Sequence, residues 1–459
     1  MKPGVFYKLA KLGITDTAVT LYIEGINSSA VIGDQQVLVE LFPLGGEQFG
    51  EYADQLGEYA EDAVRVTVFK VDVDKIAFNY DPSAHNNDAL NIREDFAKPI
   101  TVPEYIKGGQ NKPCAYVKDS AVKMLVRLKV NPISITSLKI KGVSDEGAGK
   151  PSSLGNAAEK EVVFVNGISH EGVDDPATVG IDESEYSKFD IIGNTPKKIY
   201  RSEEAWAWKA TALNGVAISD TEVDRTSRHI VYVLWDEPQA PWGTSVATAA
   251  DQVRNPWVKA LEFATKNCGA HDKEDAAGLA AITGYLHTGH GMKYDTVNGA
   301  PAYNLGMKMD ISGYIDKKGK KNINCYDQAG AVTTLGTLLG VKAEYKYMEP
   351  FGYISKIDLV GVGQCNNPFY MNPIFIPPPP GLPSPIVGNN VTFPNRSSFG
   401  NHAFVEYGGK VFDACAGPCL GTQDEAKYLN SSIDKSTPAE ASVAGNSADI
   451  KDDIISDLN

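Results

Sequence analysis

Asn324-Cys325-Tyr326-Asp327-Gln328-Ala329 decides how the C-terminal half of this chain is read. Ala329, Val332, Leu335 and Leu339 recur after it at helical spacing, so the stretch opens a helix with one apolar face. Asn324 suits the N-cap, Asp327 the first turn, and Gly340 the point where a helix stops. Cys325 therefore falls in the first turn, where free backbone N–H groups and the helix dipole favour an anion and hence a thiolate. Taken alone, the position is more simply explained by a small buried hydrophobe, since free cysteine is among the most buried residue types.

Two distant pieces change that balance: Asn401-His402-Ala403-Phe404-Val405-Glu406 and Val411-Phe412-Asp413-Ala414. Gly408-Gly409 between Tyr407 and Lys410 is a two-residue hairpin turn that fixes register. In that register Glu406 faces Val411, Phe404 faces Asp413 and His402 faces Cys415. Alternation then puts His402 and Asp413 on one face as diagonal neighbours, roughly 7–8 Å apart at the backbone and within reach of a hydrogen bond. Such a bond orients the ring, fixes its tautomer and directs the second nitrogen to a thiol. A strand histidine merely satisfied by a carboxylate is the plainer alternative. Cys415 beside His402 is a rival nucleophile; Cys325 is preferred because it alone sits at a helix terminus.

This order of parts resembles the transglutaminase-like superfamily of papain-type cysteine enzymes. There the nucleophilic cysteine opens a helix, the histidine follows on a strand and an aspartate on the next strand. The matching positions are Cys325 in Asn-Cys-Tyr-Asp-Gln-Ala, His402 in His-Ala-Phe-Val-Glu and Asp413 in Val-Phe-Asp-Ala, within about residues 250–425. The resemblance implies an α+β papain-like catalytic domain and a Cys325–His402–Asp413 triad for acyl transfer, with bacterial members leaning to hydrolysis. A long insert separates Cys325 from His402, so the pocket shape does not carry over. No side chain matches an oxyanion donor, which leaves the Cys325 backbone N–H. Tyr294 and Asn324 are expected to line the substrate pocket. No cofactor is expected, and no Asp-rich loop reads as a calcium site.

At 459 residues the chain exceeds a single core. Hydrophobic content of 42% and charged content of 22% fit a globular protein. A formal charge of −15 argues against a nucleic-acid backbone or an anionic membrane as partner, and a protein or peptide substrate is expected instead. No apolar run approaches membrane-span length, and Met1-Lys2-Pro3-Gly4-Val5-Phe6-Tyr7-Lys8 lacks the apolar core of a secretory signal. The expectation is a cytoplasmic protein, or one exported without a cleavable signal. Six cysteines in this length do not make a disulfide scaffold. Cys415-Ala-Gly-Pro-Cys419 permits half a zinc site or a local disulfide, but free thiols are the simpler reading; His287 and His290 in Leu-His-Thr-Gly-His-Gly are a weak metal signal. No metal site is expected.

The N-terminal half is rich in strand signals. Val19–Ile23, Val37–Leu41, Val64–Val68 and Val71–Val73 read as short strands, with an amphipathic helix over Glu47–Asp62 and a loop over Phe78–Thr101 that holds His85. Val122–Val130, Ile133–Ile140, Val162–Val165, Ala205–Lys209 and His229–Trp235 continue the pattern. Many short strands with turn signals between them suggest antiparallel sandwich-like modules. Trp206 and Trp208 share a face, as core or as a binding platform, with core the commoner outcome. Asp236-Glu-Pro-Gln-Ala-Pro-Trp242 reads as a linker, followed by two helical segments around Trp257–Cys268 and Asp272–Leu286. The proline run within Ile374–Val387 is stiff and extended, a candidate wall over the catalytic groove. From Asp434 the chain is a Ser/Ala/Asp-rich tail.

The expected organisation is multidomain: a β-rich module over 1–125, a sandwich-like module over 126–236, a transglutaminase-like domain over 237–425 and a tail over 426–459. The expected function is cysteine-dependent acyl transfer on an amide, most simply hydrolysis by a peptidase, amidase or deamidase. The alternatives are a non-catalytic adhesion or assembly protein built on the same scaffold, and an exported effector that modifies a target protein.

Overall fold

The computed structural model describes residues 8–15, 18–24, 36–43 and 62–432, apart from 82–87, 96–97, 146–153, 172–181, 244–252, 318–320, 349–353, 371–391 and 393–400; 457–458 are also described. Side chains are described from Phe69 to Ser432 within these ranges, Ser219 apart. Outside these residues lie His85, nearly all of the helix expected over Glu47–Asp62, the proline run within Ile374–Val387 and almost all of the tail from Asp434.

The described chain is strand-rich, as alternating Val, Ile, Thr and aromatic residues require. Its first part contains β1 (Lys8–Thr15), β2 (Ala18–Glu24), β3 (Gln36–Pro43), β4 (Asp62–Ala77), β5 (Tyr105–Ile106), β6 (Cys114–Val117) and β7 (Ala121–Asn131). Then come β8 (Ser137–Asp145), β9 (Ala157–Val165), β10 (Ile168–Ser169), β11 (Ser187–Asn194), β12 (Tyr200–Leu213), β13 (Val216–Arg225) and β14 (His229–Leu234). β1 and β2 pair with each other, while β3–β14 join in one twelve-stranded sheet of order β3-β4-β7-β10-β9-β8-β12-β14-β6, with β5 beside β4, β11 beside β7 and β9, and β13 beside β12. β7 runs through residue 125, pairing with β4 on one side and β11 on the other. The strands before and after that residue thus share hydrogen bonds.

Inward-facing residues of these strands form one apolar core, in which Trp206 and Trp208 are fully buried. Phe189 meets Trp208 edge-on at 5.1 Å, and Trp206 Nε1 donates to the Gly155 carbonyl at 3.1 Å. The two tryptophans are core residues, each removing a large apolar area from water and stabilising the sheet by about 2–3 kcal/mol.

The second part is built around one helix. Its helices are α1 (Val258–Glu262), α2 (Asp275–Gly284), α3 (Ile311–Asp316), α4 (Cys325–Leu338) and α5 (Glu425–Ser432). α1 and α2 each end in a π-helical turn, at Phe263–Asn267 and Tyr285–Gly289. A four-stranded antiparallel sheet runs in the order Glu344–Met348, His402–Tyr407, Lys410–Asp413 and Cys419–Leu420. α4 was expected to have one apolar face; instead it is buried on every side, and only Tyr326 among its residues is half-exposed. Small residues let neighbours approach closely, and buried threonines bond back to the helix, as Thr337 Oγ1 does to the Thr333 carbonyl at 2.8 Å.

The stretch 236–242 is no detached linker. Trp235 N–H donates to the Leu339 carbonyl at 2.9 Å, Gln239 N–H to Thr337 at 2.9 Å, and Trp242 Nε1 to Thr334 at 2.8 Å. A polar, proline-bearing sequence suggested a free connection. Carbonyls of Thr334, Thr337 and Leu339 at the end of α4 supply the acceptors that hold it down. Tyr232 and Leu234 of the large sheet, and Ile199 just before β12, belong to the same core cluster as α4, and Arg201 Nε reaches Glu262 at 2.6 Å beside it.

Gly340 ends α4 with φ +79°, and a Cβ there would run into the Asp236 backbone. Gly408 has φ +58° but open space around it. Gly340→Ala is therefore expected to lower stability by about 3 kcal/mol and Gly408→Ala by only about 1 kcal/mol. Urea unfolding of the two variants checks this, and equal losses would contradict the packing described at Gly340.

Candidate active site

The first turn of α4 is fixed by a capping box. Asn324 Oδ1 accepts from Tyr326 N–H at 3.0 Å and Asp327 N–H at 3.3 Å, and Asp327 Oδ2 accepts from Asn324 N–H at 3.1 Å. Asp327 does more than its position suggests. Its carboxylate also accepts from the N–H groups of Ala302 at 2.8 Å, Tyr303 at 2.7 Å and Asn304 at 2.7 Å, so a separate loop is folded onto the start of the helix. Burial pushes its carboxyl up, and the four backbone N–H groups work against that shift.

The next tethers run from the same turn to the hairpin. Tyr326 Oη donates to Asn401 Oδ1 at 2.7 Å, one residue before His402. Gln328 Nε2 donates to the Ala414 carbonyl at 2.9 Å, one residue after Asp413, and to the Leu286 carbonyl at 3.1 Å. Tyr314 Oη donates to the Gln328 amide oxygen. Cys325 is thus flanked by side chains that pin its helix to both strands of the hairpin.

The hairpin has the register that its Gly-Gly turn predicts. Tyr407 pairs with Lys410, Glu406 with Val411 and Val405 with Phe412. Gly408 and Gly409 have φ of +58° and +69°, both left-handed, as a type I′ turn requires. His402 Nε2 donates to Asp413 Oδ2 at 2.8 Å, and both residues are buried. Asp413 Oδ1 accepts from the N–H groups of Cys415 at 2.7 Å and Ala416 at 3.1 Å. The Cys325 thiol is near enough to the His402 ring to favour its charged form. Burial alone would depress that ring, but the Asp413 charge and hydrogen bond, followed by Cys325, outweigh it and hold the imidazole up at about 10. Burial likewise opposes the Asp413 charge, and His402 overcomes it, holding the carboxyl below 3.8.

The other residues singled out from sequence fall as follows. Asn324 is buried, with its oxygen in the cap and Nδ2 donating to the Gly299 carbonyl at 3.0 Å. Tyr294 is buried near Cys325, packed against Phe369 with ring centroids 6.1 Å apart. Its hydroxyl is pushed well up, first by burial and then by the nearby Cys325 and Cys415 sulfurs. All six cysteines are free and buried. Burial pushes the Cys415 thiol well up, which disfavours it as a rival nucleophile. His287 Nδ1 donates to the Ala414 carbonyl at 3.0 Å and His290 Nε2 to the Tyr314 carbonyl at 2.9 Å, so each ring serves a different piece of backbone. No helix among the described residues is long and apolar enough to cross a membrane.

One participant was absent from the sequence reading. Tyr428 of α5 donates its hydroxyl to Asp413 Oδ2 at 2.5 Å and stands 3.1 Å from His402 Nε2. Asp424 ahead of Glu425-Ala426-Lys427-Tyr428-Leu429 is a helix-start signal, and the Lys427 N–H does donate to Asp424 Oδ1 at 2.8 Å. That signal marks the helix but not what its tyrosine touches.

No protein-family model and no curated protein matches this chain. Among solved structures it is similar to a red sea bream transglutaminase at 10% identity and a TM-score of 0.29. The match covers 69% of this chain and 54% of that one, so this chain matches about half the length of that enzyme.

The pairing of His402 and Asp413 sets a pH window. His402, raised from 6.5 to about 10, adds stability that is complete below pH 6.5 and is lost as pH rises to about 10. Asp413, lowered from 3.8, adds stability present above 3.8 and lost as pH falls through its lower folded value. The stability difference between wild type and His402→Gln should therefore be greatest from pH 4 to 6.5 and shrink toward pH 10, as followed by urea unfolding. A difference independent of pH would refute the ion pair. Asp327→Asn turns amide hydrogens toward backbone N–H donors and should cost on the order of 3 kcal/mol, read from the same unfolding curves.

Proposed function

We propose that this protein is a cysteine-dependent acyl-transfer enzyme that acts on amides of a protein or peptide, most simply as a hydrolase. The observation that carries the reading is the hydrogen-bonded His402–Asp413 pair with the Cys325 side chain beside the ring, at the capped start of a buried helix. A thiol, an oriented imidazole and a carboxylate in mutual reach are the parts that nucleophilic catalysis needs.

With Nε2 engaged by Asp413, His402 rests as the imidazolium, and Cys325 enters the reaction as the thiolate whose proton that ring already carries on Nδ1. Sγ of Cys325 then bonds to the amide carbon, and the N–H groups at the helix start stabilise the oxyanion. The C–N bond breaks as His402 returns the proton to the leaving amine, giving a thioester. Water next attacks the thioester carbon and yields a proton to His402; the C–S bond breaks, the acid leaves, and the site returns to the Cys325 thiolate beside the His402 imidazolium. Asp413 holds the imidazolium through both steps. An amine in place of water would give transamidation by the same route.

Labelling with a small thiol-directed probe tests this. Wild type and Cys415→Ala should label rapidly in the native state, and Cys325→Ala should not; His402→Gln should slow labelling by on the order of a hundredfold or more. Labelling that persists in Cys325→Ala and disappears in Cys415→Ala would move the nucleophile to Cys415.

A further inference from the structure

We propose that Tyr428 is a positioning residue for this site, donating to the same Asp413 oxygen that receives His402 and so limiting how much of that carboxylate's charge reaches the imidazole. The inference rests on the acyl-transfer reading for its purpose but not for its test. Asp413 Oδ2 takes two donors, His402 Nε2 at 2.8 Å and Tyr428 Oη at 2.5 Å, while Oδ1 takes the Cys415 and Ala416 N–H groups. The phenol therefore competes directly with the imidazole for one oxygen. A structural tyrosine would need only one acceptor anywhere in the core. This one is aimed at the single oxygen on which the orientation and basicity of His402 depend.

The phenol is firmly placed. Tyr428 is buried, its ring lies 5.2 Å from that of Phe404, and its own N–H donates to the Asp424 carbonyl at 2.9 Å. At the other end of α5 the Ser432 carbonyl accepts from Ser355 N–H at 2.8 Å. Burial, and then the Asp413 charge, push the tyrosine hydroxyl well up, so it stays a donor across the working range. The other titratable groups facing the pair are Cys325 from α4, and Cys415 and Cys419 after the hairpin. None of these is a cation, so the phenol and the imidazole are the two side chains that share the Asp413 Oδ2 charge.

The sign of the effect follows. With the phenol gone, Asp413 is less satisfied, holds the imidazolium more tightly and raises the ring's midpoint. The test is NMR of histidine-¹⁵N-labelled full-length protein, with His402 assigned by the signal missing from His402→Gln. In Tyr428→Phe, which keeps the ring packing on Phe404, the His402 midpoint should rise by on the order of one pH unit, and its N–H proton should move downfield at neutral pH. Wild-type protein grown on 3-fluorotyrosine, a stronger donor, should move the midpoint the other way, which keeps the test available if the phenylalanine variant does not fold. A His402 midpoint that is unchanged or lower in Tyr428→Phe, or unchanged with fluorotyrosine, overturns the proposal. Thiol alkylation measured on the same samples separates the two ideas. If wild-type Cys325 fails to react, acyl transfer is refuted while the histidine signals still decide whether Tyr428 tunes the ring.

Discussion

The carboxylate of Asp327 is the constraint on which the rest of the site depends. It lies inside the protein, and it gathers backbone N–H groups from the loop at 302–304 and from the helix cap. A buried charge left unsatisfied would be costly, so the loop and the helix start can stay in place only together. That requirement fixes the first turn of α4, and with it the position of Cys325. Tyr326 and Gln328, on either side of Asp327, then bind the residues adjoining His402 and Asp413. Four consecutive residues from Cys325 to Gln328 thus carry a thiol and the three side chains that place it.

Electrostatics at the hairpin has the same character. Neither the His402 imidazolium nor the Asp413 carboxylate would keep its charge at such depth alone. Each is stabilised by the other, and Asp413 further by two N–H groups and a phenol. With four donors on its two oxygens, the Asp413 carboxylate keeps its charge where an unpaired buried carboxylate would not. The pairing holds His402 in one orientation, with Nε2 engaged.

Much of this was legible in the sequence where local rules dominate. Gly408-Gly409 sets the register because both positions adopt left-handed backbone, and the register alone puts Asp413 diagonal to His402. The helix start was legible from Asn324 and Asp327, whose capping geometry depends on neighbours three residues apart. What sequence could not show are contacts made by distant segments. The acceptance of three N–H groups from 302–304 by Asp327, the reach of Gln328 to Ala414 and the placement of Tyr428 on Asp413 all depend on tertiary closure. The stretch 236–242 misled for a related reason: its polar, proline-bearing composition suits a linker, yet the helix end beside it needs donors for its last carbonyls. α4 was likewise read as amphipathic because alanine, glycine and threonine dilute its apolar face, although the same small residues allow burial all round.

The central claim is that Cys325 and His402, far apart in sequence, form one reactive unit. A crystal structure of the full-length protein treated with iodoacetamide tests it most directly. The account predicts a carboxamidomethyl group on Cys325 Sγ, lying against His402 Nδ1, with Nε2 still bonded to Asp413. Modification at other cysteines with Cys325 untouched, or a His402 ring turned away from the sulfur, would contradict it.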